Sequence, residues 1–456
     1  MRFPRPELLA SVLASAIVLL NLDAPLVEDG LFWWVPKAML AAERGPLWVM
    51  NHLPEAARPM AELPPQWQAG LPDYGHPPLW FWYMGLWIKL LGPHPLAVHI
   101  GALPLAALMG WGLVALGRAA GGEHGARAAI VLPLLPPVAA NLLRADTDLP
   151  LMALTPWALW AILNRREGLF ALTAALATGC KEPAVLLAGP ALLANLIDRR
   201  PGYGWLWPPM VLAAWAGLHH AETGWYLAGS ERLPETFGGW LHDLGSVTRI
   251  VALSQGRWIA LPLAAWGLTR RPVDRAVLIL GAHTLIQILF FGTLNFLGGI
   301  DRIDAHTHVR YLIPAMLGGG SLALALSPVA AIPVGILSFM HLHSASADGP
   351  EASLYGLDVA RAARLAAPRV AALSRPVWVG SYMWTQYTRP YAGVVEVPID
   401  GLSLYAYGTD PATVSGWVVE SCEGEPLGRL QELPLELEET LWVQEAWVRL
   451  YRVGLR

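Results

Sequence analysis

Long apolar runs separated by short charged connections are the feature that most limits how this chain can fold. A helix needs about 20 predominantly apolar residues to cross a bilayer, and several runs reach that length. Only 14% of the 456 residues are charged, whereas a soluble domain has about 25%. The pattern predicts a polytopic α-helical membrane protein with about 11 transmembrane helices. The runs lie at 7–22, 95–117, 126–142, 148–164, 168–179, 183–197, 204–221, 255–269, 274–297, 310–326 and 328–343.

Arginine positions predict the orientation of these helices, because basic residues favour the cytoplasmic side of a membrane. Arginines precede the first run and then fall in alternate short connections, which places the N-terminus in the cytoplasm and the C-terminus outside. The arginine-bearing connections all lie on the cytoplasmic side only if the apolar segment 77–91 does not cross the membrane. The arginines are Arg2, Arg5, Arg118, Arg127, Arg165, Arg166, Arg199, Arg200, Arg270, Arg271 and Arg275.

The first outer loop, at about 23–94, contains two stretches that are predicted to be interfacial helices. The stretch 31–44 is amphipathic, as helices that lie in the membrane surface are. The segment 77–91 opens with two prolines, which a first helical turn tolerates, and continues with aromatic residues. Tryptophan and tyrosine favour the level of the lipid headgroups, so this segment is expected to lie along the outer interface.

The C-terminal region, at 344–456, has no long apolar run. It has one helical stretch at 358–373, and strand-like runs follow it, among them "VWV", "GVVEVPI", "SLYAY", "SGWVVE" and "AWVRLYRV". Short β-branched and aromatic runs between turn residues are typical of strands. We therefore divide the chain into a transmembrane domain, 1–343, and a small C-terminal α/β domain outside the membrane, 344–456.

Ionisable residues at the outer ends of apolar runs are candidates for function, because charge at membrane depth is costly. Glu28 and Asp29 follow the first run. Two adjacent carboxylates beside an apolar wall are suited to act as a general base. The same two residues can equally cap the helix predicted at 31–44, and the local sequence leaves both interpretations open.

Basic residues occupy other outer helix ends. Arg144 and Asp148 lie between the third and fourth runs, although an aspartate there is also an ordinary helix cap. Lys181 lies between two apolar runs and can either reach towards water or hold a phosphate. Arg310 precedes Tyr311 at the start of another run, where a guanidinium suits a lipid-linked phosphate or ordinary headgroup contact. Together these groups indicate a site that binds an anionic lipid and abstracts a proton.

The order of these motifs resembles the GT-C-type membrane glycosyltransferases that use polyprenyl-phosphate sugars, in particular the bacterial aminoarabinose transferases and the protein O-mannosyltransferases. That family has an acidic pair after the first span, then a Tyr-x-(Lys or His)-Pro-Pro-Leu segment, then Arg/Asp, Lys and Arg-Tyr-Leu elements. The acidic pair is Glu-Asp here where the family usually has Asp-Glu, and His99 stands where the family usually has arginine. The matching residues, within about 25–345, are Glu28, Asp29, Met39, Leu40, Tyr74, His76, Pro77, Pro78, Leu79, Arg144, Asp148, Lys181, Arg310 and Tyr311.

The resemblance implies an inverting glycosyltransferase that moves a sugar from a polyprenyl-phosphate carrier to an acceptor at the outer face of the membrane. Lys181 and Arg310 would neutralise the phosphate leaving group, and Glu28 or Asp29 would deprotonate the acceptor. The resemblance implies a transfer that needs no metal, although some lipid-phosphate sites of this kind hold a divalent metal ion. The other implied substrate-binding residues are Tyr74, His76, Pro77, Arg144, Asp148 and Tyr311.

The expected partners are the lipid-linked donor, a lipid, glycan or protein acceptor, and membrane lipids, with no nucleic acid; the expected location is a bacterial inner membrane. The alternative is a non-catalytic lipid or polysaccharide transporter, or an inactive family member. A transporter is expected to carry ionisable groups near the bilayer midplane. Here only His283 and Gln287 lie deep in an apolar run, and such residues often form hydrogen bonds between helices.

Overall fold

A computed structural model describes residues 5–27, 34–45, 76–144, 146–223, 236–293, 309–345, 353–380, 384, 387–388, 390–405, 409–422 and 432–454. Three helical stretches among them are long and apolar enough to cross a membrane: Pro95–Leu134, Arg275–Thr293 and Val309–Leu326. The α-helices are α1 (Pro6–Leu19), α2 (Val35–Arg44), α3 (Leu79–Leu91), α4 (Pro95–Ala128), α5 (Pro136–Asn141), α6 (Asp148–Leu163), α7 (Glu167–Thr178), α8 (Ala188–Asp198), α9 (Trp207–Thr223), α10 (Phe237–Ala252), α11 (Ala260–Arg270), α12 (Arg275–Thr293), α13 (Ile313–Leu326), α14 (Ala331–Met340) and α15 (Tyr355–Ala372).

Each predicted apolar run coincides with helical structure in its described part, which confirms a polytopic α-helical membrane fold. The number of separate spans stays a prediction, because several runs are divided into shorter pieces. In the run 126–142, α4 ends, a 3₁₀ helix forms at Ala129–Leu134, and α5 begins at Pro136. Pro133 lies inside that 3₁₀ helix, and a proline has no N–H for an α-helical hydrogen bond.

The two helices predicted in the first outer loop are present in its described part as α2 and α3. They approach closely, since a Cβ on Gly85 of α3 would lie 2.9 Å from the carbonyl oxygen of Ala38 in α2. The aromatic side chains of Trp80 and Phe81 are buried. Their depth relative to the membrane stays a prediction.

The apolar pattern does not predict α10, which packs against α12. Its apolar face is narrow: Val247, Ile250 and Val251 are buried, whereas most of its other side chains are partly or fully exposed. A search for long apolar runs therefore passes over it, because an amphipathic helix has only one apolar stripe.

Glycine at position 110 lets α1 and α4 come into backbone contact. A Cβ on Gly110 would lie 2.5 Å from the carbonyl oxygen of Ala10 and 2.7 Å from the backbone nitrogen of Ser11. Small residues at such positions allow membrane helices to pack closely. The Ser11 hydroxyl also donates a hydrogen bond to the carbonyl oxygen of Ala107, at 2.9 Å.

We expect Gly110→Ala to destabilise the protein by about 1–3 kcal/mol, the usual cost of overpacking a tight interior. The measurement is the thermal unfolding midpoint of the detergent-solubilised protein. Gly217→Ala in α9 is the matched control, because no heavy atom lies within 4 Å of its added Cβ. The control should leave the midpoint unchanged or slightly raised, since alanine favours helix. Equal midpoints for Gly110→Ala and the wild type would refute the close-contact argument.

The C-terminal region forms a mixed sheet with strands β1 (Val377–Val379), β2 (Leu402–Leu404), β3 (Trp417–Ser421), β4 (Leu435–Val443) and β5 (Ala446–Val453). The strand order is β2-β1-β3-β5-β4. Strand β1 pairs in parallel with β2 and β3, while β5 pairs antiparallel with β3 and β4. Helix α15 packs against β4 and β5. A helix and a small sheet are therefore present as predicted, and the boundary at 343/344 stays a prediction.

Two strand assignments differ from the sequence prediction. The run 393–399 forms no strand, because Gly393 has φ of +75° and its carbonyl accepts a hydrogen bond from Arg364. Strand β4 is not predicted from the sequence, since it contains Glu436, Glu438 and Glu439. It lies at the edge of the sheet, where charged residues are tolerated and discourage association with other strands.

Candidate functional site

Three chain connections meet at one end of the helix bundle and bring most of the predicted site residues together. Arg144 and Asp148 lie at the connection between α5 and α6, and Lys181 directly precedes a 3₁₀ helix, Glu182–Leu187. Arg310 and Tyr311 lie in another 3₁₀ helix, Val309–Leu312, which leads into α13. Glu28, Asp29 and Tyr74 lie outside the described residues.

Lys181, Asp148 and Arg310 form the centre of a buried ion-pair network. The Lys181 ammonium donates to Asp148 Oδ2, and Arg310 Nε lies 3.4 Å from the same oxygen. All three residues are at most 4% exposed. The sequence does not predict this ion pair, since the lysine and the aspartate are 33 residues apart.

Asp146 joins Arg144 to the same network. Arg144 Nε donates to Asp146 Oδ2 at 3.0 Å, and Arg310 Nη1 donates to that oxygen at 3.3 Å. Asp146 has no exposed surface. The sequence analysis selects Arg144 and Asp148 from this loop but not Asp146, which lies between them.

The described members of this network carry three positive charges and two negative ones. A buried charge is costly unless other charges and hydrogen bonds compensate it. Buried charges attract more strongly than exposed ones, because the surrounding dielectric constant is low.

Tyr311 supplies an aromatic face for two of these cations. Lys181 Nζ lies 4.0 Å from the centre of the Tyr311 ring, and Arg310 Cζ lies 5.1 Å from it. A cation over an aromatic face is stabilised by the ring, the more so where water is excluded. The ring also stacks on Phe291 of α12, with a centroid distance of 5.9 Å. This contact helps to fix the position of the ring.

The His-Pro-Pro segment is fastened beside Lys181. His76 Nδ1 lies 2.7 Å from Glu182 Oε2 and 2.9 Å from Oε1, and Pro77 is buried. The backbone nitrogen of Leu79 donates to the carbonyl oxygen of Gly179 at 3.0 Å. Glu182 is a site residue that the sequence analysis missed, although its position next to Lys181 was an available signal.

The described residues on both sides of the segment 28–33 lie at this end of the bundle. Before it, Leu26 donates a backbone hydrogen bond to the carbonyl oxygen of Ala392 at 2.9 Å, and Val27 is 3% exposed. After it, the Trp34 ring lies 4.9 Å from the His76 ring between centroids. The C-terminal region thus contacts the chain immediately before the acidic pair.

His99 links the chain before the acidic pair to the loop that carries Arg144. Its Nδ1 lies 3.1 Å from the carbonyl oxygen of Leu22, and its Nε2 lies 3.3 Å from that of Leu143, next to Arg144. The side chain has no exposed surface. The position where the resemblance expects arginine therefore serves here to hold two backbone segments together.

The described residues do not form a site that fits a divalent metal ion. No group of three or more potential metal-ligating side chains occurs among them. Asp146 and Asp148 each face arginine or lysine. Hard divalent cations need several oxygen ligands, so two carboxylates already paired with cations do not make such a site.

Comparison with known proteins gives one family match and one shared fold. Residues 75–217 match the family model described as dolichyl-phosphate-mannose-protein mannosyltransferase. No curated protein sequence matches the chain significantly. The crystal structure of ArnT from Cupriavidus metallidurans bound to undecaprenyl phosphate matches with a TM-score of 0.51 at 14% identity, covering 97% of each chain. The apo structure of the same protein matches with a TM-score of 0.50 at 13% identity and the same coverage.

Residues of the ion-pair network lie within the matched regions. The family match includes His76, Arg144, Asp148 and Lys181, and the fold match extends over nearly the whole chain. The resemblance to the GT-C-type membrane glycosyltransferases is therefore confirmed: part of the chain matches a mannosyltransferase family model, and the chain has the fold of ArnT.

Proposed function

We propose that this protein is an inverting glycosyltransferase that transfers a sugar from a polyprenyl-phosphate carrier to an acceptor at the outer face of a bacterial inner membrane. The observation that carries the proposal is the buried network of Lys181, Arg310 and Arg144 with two carboxylates. ArnT, which has a similar fold, has been crystallised with undecaprenyl phosphate. This supports a lipid phosphate as the ligand.

Lys181 and Arg310 are proposed to hold the phosphate of the donor. When the bond between the anomeric carbon and the phosphate oxygen breaks, the phosphate keeps the electron pair and gains negative charge. Fixed cations in a dry site stabilise such developing charge and can contribute about 10²–10³ in rate for a single group. Asp146 and Asp148 hold the cations in place through hydrogen bonds.

Glu28 or Asp29 is proposed to act as the base. An oxygen of the acceptor attacks the anomeric carbon from the side opposite the phosphate, so the configuration inverts. The proton of the acceptor passes to the carboxylate, which completes the balance of the reaction. General-base catalysis of this kind contributes about 10²–10⁴ in rate. The acceptor is a hydroxyl or phosphate of a lipid, a glycan or a protein.

The proposed orientation is supported by the basic residues at the other end of the bundle. Arg118 lies shortly before the break in α4 at Gly121 and Gly122, Arg165 follows α6, and Arg275 begins α12. Clusters of arginine favour the cytoplasmic side, which leaves the Lys181 network facing outwards.

The alternative, a transporter, finds less support. Nε2 of the deeply buried His283 lies 3.1 Å from the carbonyl oxygen of Pro314, a contact that joins α12 to α13. A Cβ on Gly318 would lie 2.5 Å from the His283 ring, so this histidine is enclosed by helix packing. The charged network lies instead at helix ends, which is where a transfer site for a lipid-linked sugar is expected.

The experiment that tests the function is release of polyprenyl phosphate by the purified, detergent-solubilised protein. It is incubated with a panel of polyprenyl-phosphate sugars and with a membrane extract as acceptor. We expect release with one class of donor. Detergent removes the two compartments that transport requires, so release separates an enzyme from a transporter. No release with any donor would contradict the proposal and favour a transporter or an inactive relative.

A further inference from the structure

A polar cavity lies at the end of the bundle opposite the Lys181 network. Helix α6 begins at Asp148, in the network, and ends at Leu163; its 16 residues span about 24 Å. Helix α7 begins at Glu167 and returns towards Lys181, and α8 leads back again to Asp198. The cavity between these helix ends has a volume of about 160 Å³.

Arginines dominate the charged lining of this cavity. Arg165, Arg166, Arg200 and Arg275 line it together with two carboxylates, Glu167 and Asp198. The charged lining therefore has a formal excess of two positive charges. None of these residues belongs to the proposed transfer site.

Asp198 is already engaged by two of the four arginines. Arg275 Nη2 donates to its Oδ2 and Arg165 Nη2 to its Oδ1, each at 2.9 Å. Burial of the Asp198 carboxyl acts to raise its pKa, but the hydrogen bonds from the two arginines outweigh burial and hold the pKa below its usual range. Arg275 also donates to the carbonyl oxygens of Leu163 and Ile162 at 2.9 and 3.0 Å.

Glu167 is engaged by the backbone. Its Oε1 accepts hydrogen bonds from the backbone nitrogens of Tyr203 and Gly204. Within the part of the chain that the structure describes, Arg166 and Arg200 therefore face the cavity without a carboxylate partner. Two guanidinium groups beside a cavity suit a phosphate, because their planar N–H donors match its oxygens.

Exposed aromatic residues near the cavity indicate that it lies at headgroup depth. Tyr203 is 69% exposed and Trp207 is 51% exposed, and both follow Arg200 in the chain. Exposed tyrosine and tryptophan on a membrane protein favour the membrane–water interface. At that depth the phosphate available at the highest local concentration is that of the lipid headgroups.

We propose that this cavity binds the phosphate of an anionic phospholipid in the membrane leaflet opposite the transfer site, with Arg166 and Arg200 as its principal ligands. Basic pockets between membrane helices on the cytoplasmic side are suited to such headgroups. The rest of the arginine cluster holds the three helix ends in place and adds positive potential. Free inorganic phosphate has the same chemistry and is the other source to be distinguished.

The test is binding of short-chain phosphatidylglycerol to the purified full-length protein, measured by native mass spectrometry with phosphatidylcholine and inorganic phosphate as comparison ligands. The wild type should retain phosphatidylglycerol in preference to phosphatidylcholine. Arg166→Gln/Arg200→Gln should weaken that binding by about 25-fold, at about fivefold for each arginine. Lipid binding is measured without any sugar transfer, so its result is independent of the proposed enzyme activity.

Arg5→Gln/Arg127→Gln is the matched control. Arg5 and Arg127 are exposed and line no part of the cavity, so this variant loses the same charge and should bind phosphatidylglycerol as the wild type does. Equal loss in both double variants, or none in either, would overturn the proposal. Retention of inorganic phosphate without retention of phosphatidylglycerol would overturn the lipid assignment and identify a site for free phosphate.

Discussion

Lys181→Met is expected to reduce release of polyprenyl phosphate from the donor by about 10²–10³-fold. This is the effect of removing one fixed group that stabilises developing charge. Lys181 has no exposed surface and lies against Asp148 and the ring of Tyr311, so water cannot replace its ammonium. The measurement is the rate of release at saturating donor.

Loss of folding must be separated from loss of catalysis in this variant. Removal of one partner from a buried ion pair costs about 3–5 kcal/mol, because the other charge stays buried without its partner. Lys181→Met/Asp148→Asn removes both charges and should recover much of that stability. Release should stay low in the double variant, because the ammonium that faces the phosphate is still missing.

Lys89→Met provides the matched control for Lys181→Met. Lys89 lies in the last turn of α3 and is exposed, so its loss should leave both stability and release unchanged. A folded double variant with wild-type release would show that Lys181 only balances Asp148. In that case Arg310 would be the first residue to examine as the phosphate ligand.

The sequence selects the basic candidate residues by their position. Lys181, Arg310 and Arg144 lie at the ends of apolar runs. A charged side chain there is costly and is therefore a candidate for function. The structure brings them within one network through Asp146 and Asp148. The pairing itself is not predictable from one sequence, since Arg310 and Asp146 are 164 residues apart.

The predicted fold is most reliable where apolar composition determines it. The helices α4, α12 and α13 follow from their long apolar runs. The narrow apolar face of α10 and the acidic edge strand β4 do not, because tertiary packing rather than composition stabilises them. The contacts of His99 and Glu182 are not predictable either, since each is made with a distant part of the folded chain.

Glu28→Gln or Asp29→Asn is expected to lower release by about 10²–10⁴-fold, the range for loss of a general base. Both residues lie outside the described part of the chain, so the expectation rests on the resemblance and on their neighbours. Val27 and Trp34, on either side of the segment 28–33, are both 3% exposed. Leu26 is held by Ala392, and the ring of Trp34 lies against that of His76.

Glu43→Gln is the matched control, since Glu43 is an exposed carboxylate of the same outer loop, in α2. It should release polyprenyl phosphate at the wild-type rate. Binding of polyprenyl phosphate, measured as a rise in the thermal unfolding midpoint, should persist in the Glu28 and Asp29 variants, because Lys181 and Arg310 are intact.

The two carboxylates can be distinguished by which variant loses catalysis while it keeps binding. An amide has nearly the shape of the carboxylate but cannot accept the proton, so the catalytic position should lose release without loss of phosphate affinity. A carboxylate with only a structural role should instead lower the unfolding midpoint and leave the rate per folded molecule unchanged. If both variants keep wild-type release, the acidic pair has a structural role, and the proton must go to another acceptor. The Lys181 result would still decide whether the buried network binds the leaving phosphate, because the two experiments remove different groups from the reaction.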